Sequence, residues 1–402
     1  MPGNHDSPVR EDLRLFLSAH AADMRAYLVD LIRSRTVNPP GDEHRAAKVL
    51  TDFCRRHGIP YTTHEKAPGR TNVVARIGEG RPRIVVPVHL DTVPAGDGWT
   101  TDPFEPVIEN GRVIGRGAKD NKGPLAAMML AARYLKEREK ELGGQFILVG
   151  AADEEAGSAA GMQYLLETGA VEADAAIVPD AGHNMRVIDV GEKGLLHLVV
   201  RAVGRQAHGS QPERGASALW PVVDFLGRIR HWLPPSPPTD LFTPPTLNIG
   251  AIHAGSVPNM VPGLCECLID IRYLPGTDGQ AILGHLRGVL VEVAAASAGV
   301  HLDLEVLSHQ VPTLVAPDHP VIAAIERQTE EVTGRRPQRL GQPGATVAKF
   351  LILRGVPAVG FSCGPEGAEH TAGEWVDLAE LAQFAEVMTR VLLDLLRGGK
   401  SE

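Results

Sequence analysis

Apolar residues recur at helical spacing through residues 11–35. Leu13, Phe16, Leu17, Met24, Leu28, Leu31 and Ile32 mark one face, and the pattern stops before Asn38-Pro39-Pro40. A second helix is predicted over 43–57, ending at Gly58-Ile59-Pro60. The period then changes. Residues 72–77 and 83–88 read as strands, 122–141 as a helix, 145–150 as a strand, 158–168 as a helix and 175–178 as a strand. Strand and helix alternating through short loops predict a parallel sheet with helices on its faces. Pro87 conflicts locally with this reading, because proline cannot donate to a central ladder.

From about residue 190 the order becomes strand 193–203, helix 216–232, strands 247–253 and 264–272, helix 278–298 and strand 300–307. That β-α-β-β-α-β order predicts a ferredoxin-like unit. Residues 234–245 form a stiff, proline-rich loop within it. From 319 the earlier alternation resumes, with helices over 319–333 and 346–354, a strand over 357–361 and a last helix over 377–397. The expected fold class is therefore α/β: a discontinuous domain, 1–188 and 310–402, with a mainly parallel sheet flanked by helices, interrupted by a ferredoxin-like α+β domain at 189–309.

Composition narrows the function classes. The chain has 402 residues, 43% of them apolar, and needs no metal or disulfide merely to hold a core. Lys and Arg total 40 against 49 Asp and Glu, a net charge of −9. This balance argues against a nucleic-acid or anionic-membrane binder. No run approaches 18 apolar residues, and the opening MPGNHDSPVREDLR reads as no secretory leader. Cys54, Cys265, Cys267 and Cys363 fit neither a disulfide framework nor a CxxC site, and Cys265 and Cys267 read as one face of a strand. A reducing, cytoplasmic location is expected.

Sixteen histidines invite a search for metal ligands. His89 and Asp91 follow one predicted parallel strand; Asp153, Glu154 and Glu155 follow another; Asp180 follows a third; His370 lies a short loop beyond a fourth. Asp120 opens the helix near 122. Ligands bind outside the carboxyl ends of strands in open α/β sheets. Two histidines and several carboxylates there suit zinc, cobalt or manganese, in number enough for two ions sharing one bridging ligand. Singly, each residue has a plainer reading: Asp180 as a turn cap, Asp120 as a helix cap, His370 as a satisfied loop histidine. Only their co-location points to metal. The second His-Leu-Asp, 301–303, sits inside an alternating strand, and Glu330-Glu331 lies late in a helix; both read as structural.

The segments HLDTVP (89–94), GRGAKDNKG (115–123), ADEEAGS (152–158), VPDA (178–181) and EHTAGEWV (369–376), in that order, resemble the dinuclear-zinc amidohydrolase and metallopeptidase family. That family contains acetylornithine deacetylase, succinyl-diaminopimelate desuccinylase, glutamate carboxypeptidase and aminoacylase. The resemblance spans about 10–397. It implies that His89 and Asp180 hold one metal ion, Glu155 and His370 the other, and that Asp120 bridges them. It further implies that Asp91 orients His89, that Glu154 is the general base, and that the Asp120–Asn121 peptide is cis. GRQAHGSQPERGASAL (204–219) resembles the family's lid segment, which implies that His208 enters a neighbouring subunit's site in a homodimer formed through the lid. SVPNMVPGLCECLIDIRYLPG (256–276) resembles the segment that offers Asn259 and Arg272 to substrate.

The chain departs from the family pattern at GQPGATVAKF (341–350), where Val347 stands in place of an acid, and at Asn121 and Pro124. The substrate-facing wall is where those departures are expected to act. The leading expectation is a hydrolase of the amide bond of an N-acyl amino acid, with two divalent ions, zinc first and cobalt or manganese as alternatives. A dipeptidase or carboxypeptidase with the same centre is the alternative. A non-catalytic binding protein on the same fold is the remote one, since binding alone needs no base at Glu154.

Overall fold

The computed structural model describes residues 8–180 and 183–397. Residues 1–7 of the stretch read as no leader, and Ala181 of VPDA, lie outside them. The chain divides into two compact units: Met1–Val190, Val315–Leu340 and Thr346–Glu402 in the first, Gly191–Leu314 and Gly341–Ala345 in the second.

The first unit is built on one sheet. Its strands lie in the order Tyr61–Glu65, Thr71–Ile77, Gln145–Ala151, Arg83–His89, Ala175–Val178, Ala358–Gly360 and Val187–Glu192. The four from Gln145–Ala151 to Ala358–Gly360 are parallel; the strands flanking them are antiparallel. Parallel strands need both faces covered, and the central ones are almost wholly buried. One face carries a cluster in which Met162, Leu165 and Leu351 meet Val85, Ile147, Val149 and Ala176. The helices Lys122–Glu137 and Leu378–Leu396 pack on each other and on the Arg83–His89 strand. Pro87 stays in register with Val149, but the pairing with Ala175–Val178 stops at Val85, before the proline.

Several expected elements differ. The single helix over 11–35 is two, Pro8–Ala19 and Ala21–Arg33, because His20 leaves helical dihedrals at φ −111°, ψ 13°. The helix expected from 158 starts at Met162: a side chain at Gly161 would meet the Ala152 carbonyl oxygen at 1.8 Å, so the approach to the helix is a tight, non-helical turn. Val347 is buried in the apolar cluster with Val74 and Ile147, so it lines the core and no substrate-facing wall.

The second unit holds a four-stranded antiparallel sheet in the order Thr246–Ala254, Leu264–Tyr273, Gly194–Val203, His301–Gln310. With helices Leu219–Ile229 and Gly279–Ala296 between its strands, this is the ferredoxin-like arrangement. Alternation sorts the faces. Cys265, Cys267, Ile269, Ile271 and Tyr273 pack with Phe225, Ile282 and Leu286, while Leu264, Leu268 and Arg272 look the other way. The four cysteines are free and buried.

Candidate metal centre

Because the four central strands run parallel, their carboxyl ends share one edge of the sheet. His89 is the last residue of Arg83–His89; Glu154 and Glu155 form a short turn after Gln145–Ala151; Asp180 lies two residues after Ala175–Val178. Asp120 and His370 arrive on loops, the first just before helix Lys122–Glu137. The chain thus brings five segments together at one edge.

Two groups of ligand atoms result: His89, Asp120 and Asp180, and Asp120, Glu155 and His370, the atoms of each lying within 4.8 Å of one another. Asp120 belongs to both. Its Oδ1 lies 2.9 Å from His89 Nε2, and its Oδ2 lies 3.3 Å from His370 Nε2. His370 Nε2 is also 3.3 Å from Glu155 Oε2, and His89 Nε2 is 3.9 Å from Asp180 Oδ1. The Asp120–Asn121 peptide is cis, as the family resemblance implies. His301 belongs to neither group, and Glu330 and Glu331 are exposed on their helix.

The residues present fit two divalent cations. His89 Nδ1 donates to the Asp91 carbonyl oxygen at 3.0 Å, so Nε2 is the nitrogen offered to the cluster. One buried oxygen of Glu155, Oε1, has no hydrogen-bond partner. Four carboxylates converge on two imidazoles, and their electrostatics call for added positive charge. Burial, with repulsion from Asp120, pushes the Asp180 carboxyl up to about 7. Burial, followed by Asp180, raises Glu154 well above the usual range. Hydrogen bonds to Asp120 and Glu155 hold His370 up at about 10. Burial pulls His89 down, but Asp120 and Asp91 more than reverse it. A donor set of imidazole nitrogen and carboxylate oxygen is one that zinc, cobalt and manganese share.

Asp91 does more than the resemblance implies. Its carboxylate is 3.5 Å from His89 Nδ1, farther than its own carbonyl oxygen. Oδ1 accepts from the Glu154 N–H and Oδ2 from the Glu155 N–H, each at 3.1 Å, and Asn38 Nδ2 donates to Oδ2 at 2.8 Å. The side chain therefore caps the turn that carries both glutamates. Glu154 itself lies outside both ligand groups.

Sequence reasoning named Asp153 only as a strand-end acid and missed the other supports. Asp153 adopts φ +64°. Arg70 holds its Oδ1 at 2.7 Å while forking onto the buried carboxylate of Glu43. Glu374, buried inside EHTAGEWV, binds the Asp120 loop. Lys122 is fully buried, and burial lowers its ammonium to about 7. Asp153, Glu374 and Lys122 lie in the motifs above; Glu43 and Arg70 are far apart in sequence and carry no spacing signal.

In the second unit His208 and Asn259 are neighbours: the Gly209 N–H donates to the Asn259 carbonyl oxygen at 2.8 Å, and a side chain at Gly209 would meet Asn259 backbone at 2.9 Å. Both residues are exposed. His208 Nδ1 accepts from Ser210 N–H at 3.1 Å and lies 2.8 Å from Ser210 Oγ. Arg272, on Leu264–Tyr273, forks onto Asp270 through Nε at 2.8 Å and Nη2 at 3.0 Å.

Comparison with known proteins adds a family, two relatives and a similar fold. Residues 85–394 match peptidase family M20/M25/M40. The chain is 30% identical to the succinyl-diaminopimelate desuccinylase of Gluconacetobacter diazotrophicus, over 91% of this chain and 95% of that one, and 30% identical to the acetylornithine deacetylase of Proteus mirabilis, over 81% and 82%. Its fold is similar to that of a tripeptidase from Staphylococcus aureus, with a TM-score of 0.77 at 20% identity, covering 94% of this chain and 99% of the other.

Proposed function

The chain belongs to peptidase family M20/M25/M40, a family of metal-dependent hydrolases, and on that footing we propose that it cleaves the amide bond of an N-acyl amino acid at a dinuclear centre. The observation that carries the reading is the Asp120 carboxylate, whose two oxygens address two different histidines. His89 and Asp180 would hold one ion, Glu155 and His370 the other, with zinc the resident metal and cobalt or manganese able to replace it. Two such ions supply carbonyl polarisation and an activated water. The chain's own groups do the rest. Glu154, next to a ligand but outside both ligand groups, takes the water's proton on its carboxylate and delivers it to the leaving nitrogen. Asp91 holds the turn that aims Glu154.

Arg272 and Asn259 are proposed to bind the substrate, Arg272 through its carboxylate. His208 is proposed to act as an oxyanion donor in the neighbouring subunit of a homodimer formed through the 189–309 lid. Support for a dimer comes from Thr246–Ala254, an edge strand exposed along most of its length, with Ile249 and Ile252 partly exposed. Four free, buried cysteines suit a cytoplasmic setting. No helix among the described residues is long and apolar enough to cross a membrane.

The test is a turnover screen of acetyl, succinyl and formyl amino acids and of dipeptides, with zinc or cobalt added. Elemental analysis of the reconstituted protein is expected to give two ions per chain. Cleavage of acyl amino acids is the expected result. Turnover of dipeptides alone would move the assignment to a peptidase, and two bound ions without any turnover would revive a binding role.

A further inference from the structure

Glu374 is completely buried, and its carboxylate accepts four hydrogen bonds from a single loop. Oε1 accepts from the main-chain N–H groups of Lys119 and Asp120, each at 2.9 Å. Oε2 accepts from the Gly117 N–H at 3.0 Å and from Arg116 Nη1 at 2.7 Å. The Glu374 carbonyl oxygen takes a fifth bond, from Gly115 N–H at 2.8 Å. The loop it gathers is tight: Gly117 has φ +86°, and a side chain there would meet Thr92 Cγ2 at 2.8 Å. Three main-chain donors converging on one carboxylate fix a loop's shape more narrowly than any single contact, because each amide direction is set by its neighbours.

What this loop carries decides the meaning. Its last residue is Asp120, the one group shared by both ligand sets. Glu374 in turn stands four residues after His370, whose Nε2 lies 3.3 Å from Asp120 Oδ2. One side chain therefore ties the segment bearing His370 to the segment bearing Asp120. An apolar residue of similar size would fill the space but leave three buried N–H groups unmatched and the buried Arg116 guanidinium without its carboxylate, keeping only its Nη2 bond to the Ala95 carbonyl oxygen.

We infer that Glu374 is a positioning residue for the dinuclear centre: by holding the Gly117–Asp120 loop against the His370 segment, it sets the placement of the Asp120 carboxylate between the two histidines and hence the affinity for divalent ions. This rests on the reading of the cluster as a two-ion site. It concerns how tightly ions are held, which is measurable without substrate.

The test is titration of metal-stripped protein with cobalt(II), followed by visible absorption, in wild type and three variants. Glu374→Gln keeps the shape but leaves one oxygen for donors that now use two; cobalt affinity is expected to fall 10–100-fold, the range for lost support around metal ligands. Arg116→Met removes the ion-pair partner and keeps the three main-chain contacts; it is expected to lower Tm while shifting cobalt affinity less than about threefold. Should the glutamine variant fail to fold, Glu374→Asp decides: it keeps the charge but retracts the carboxylate by one methylene, and a weakening of more than about threefold is expected. Wild-type affinity in Glu374→Gln, or losses in Glu374→Gln and Arg116→Met that simply track their Tm, would overturn the inference while leaving the two-ion reading intact. Wild-type protein that takes up fewer than two cobalt ions would overturn that reading, and this inference with it.

Discussion

Replacing Asp91 by alanine should loosen the glutamate turn, by an amount that follows from its contacts. The carboxylate is fully buried and accepts the N–H groups of Glu154 and Glu155. Hydrogen bonds to a charged acceptor contribute about 1.5–3 kcal/mol each. The pair is therefore worth at least about 3 kcal/mol, and at about 1.4 kcal/mol per decade that is roughly 100-fold in the opening equilibrium of the turn. Asp91→Asn keeps one accepting oxygen, so about half the energy and a roughly tenfold effect are expected. Amide hydrogen exchange on metal-free protein reads this directly: a peptide over 152–158 should exchange about 100-fold faster in the alanine variant. The strand His301–Gln310, in the other unit, serves as an internal reference that should not change. Exchange of the glutamate amides within about threefold of wild type would show that Asp91 does not hold the turn.

Glu154→Gln should lower kcat by at least about 100-fold with metal content unchanged; near-normal turnover would assign the base elsewhere. Arg272→Ala should raise KM for carboxylate substrates far more than for their methyl esters, and equal losses would remove it from carboxylate recognition. Mixed His208→Ala and Glu154→Gln chains, allowed to exchange subunits, should regain activity in the one intact site of each mixed dimer, whereas silence after proven exchange places His208 within its own chain or out of the reaction. In metal-free protein Asp180 stands at about 7 and His370 at about 10, above their ordinary 3.8 and 6.5. Both bind protons more tightly when folded. Their stabilisation is full below the ordinary values and is lost as pH rises through 7 and 10. Divalent ions replace those protons, so the Tm gain on adding metal should widen from pH 6 to pH 9; a gain that narrows would contradict the site's electrostatics.

The parallel core and the inserted unit were legible because their signals are strong and local. Apolar runs such as Gln145–Ala151 alternate with long amphipathic helices, and Leu264–Tyr273 alternates strictly between faces. Tyr61–Glu65 escaped because YTTHE, an edge strand, buries little and shows no apolar alternation. The short hairpin of Val107–Glu109 and Arg112–Ile114 was within reach: Asn110 and Gly111 both take positive φ, the dipeptide expected of a tight turn. The candidate ligands could be named because strand ends can be found from sequence, and the family resemblance sorted them into two groups. The buried supports could not. Arg70 reaches Glu43 and Asp153 across 27 and 83 residues, and Glu374 reaches Asp120 across 254. Nothing local distinguishes such a carboxylate from one facing solvent.

The segmented origin of the centre also has a meaning in time. A chain leaving the ribosome has released His89, Asp120 and Asp180, the members of the first candidate ligand group, once residue 180 is out. His370 follows 190 residues later, after the entire second unit. At about 5–20 residues per second that is a wait of roughly 10–40 s. Through that interval Asp120 lacks the Glu374 contacts that gather its loop, so both candidate ligand groups are finished only once the segment from His370 to Glu374 has been made.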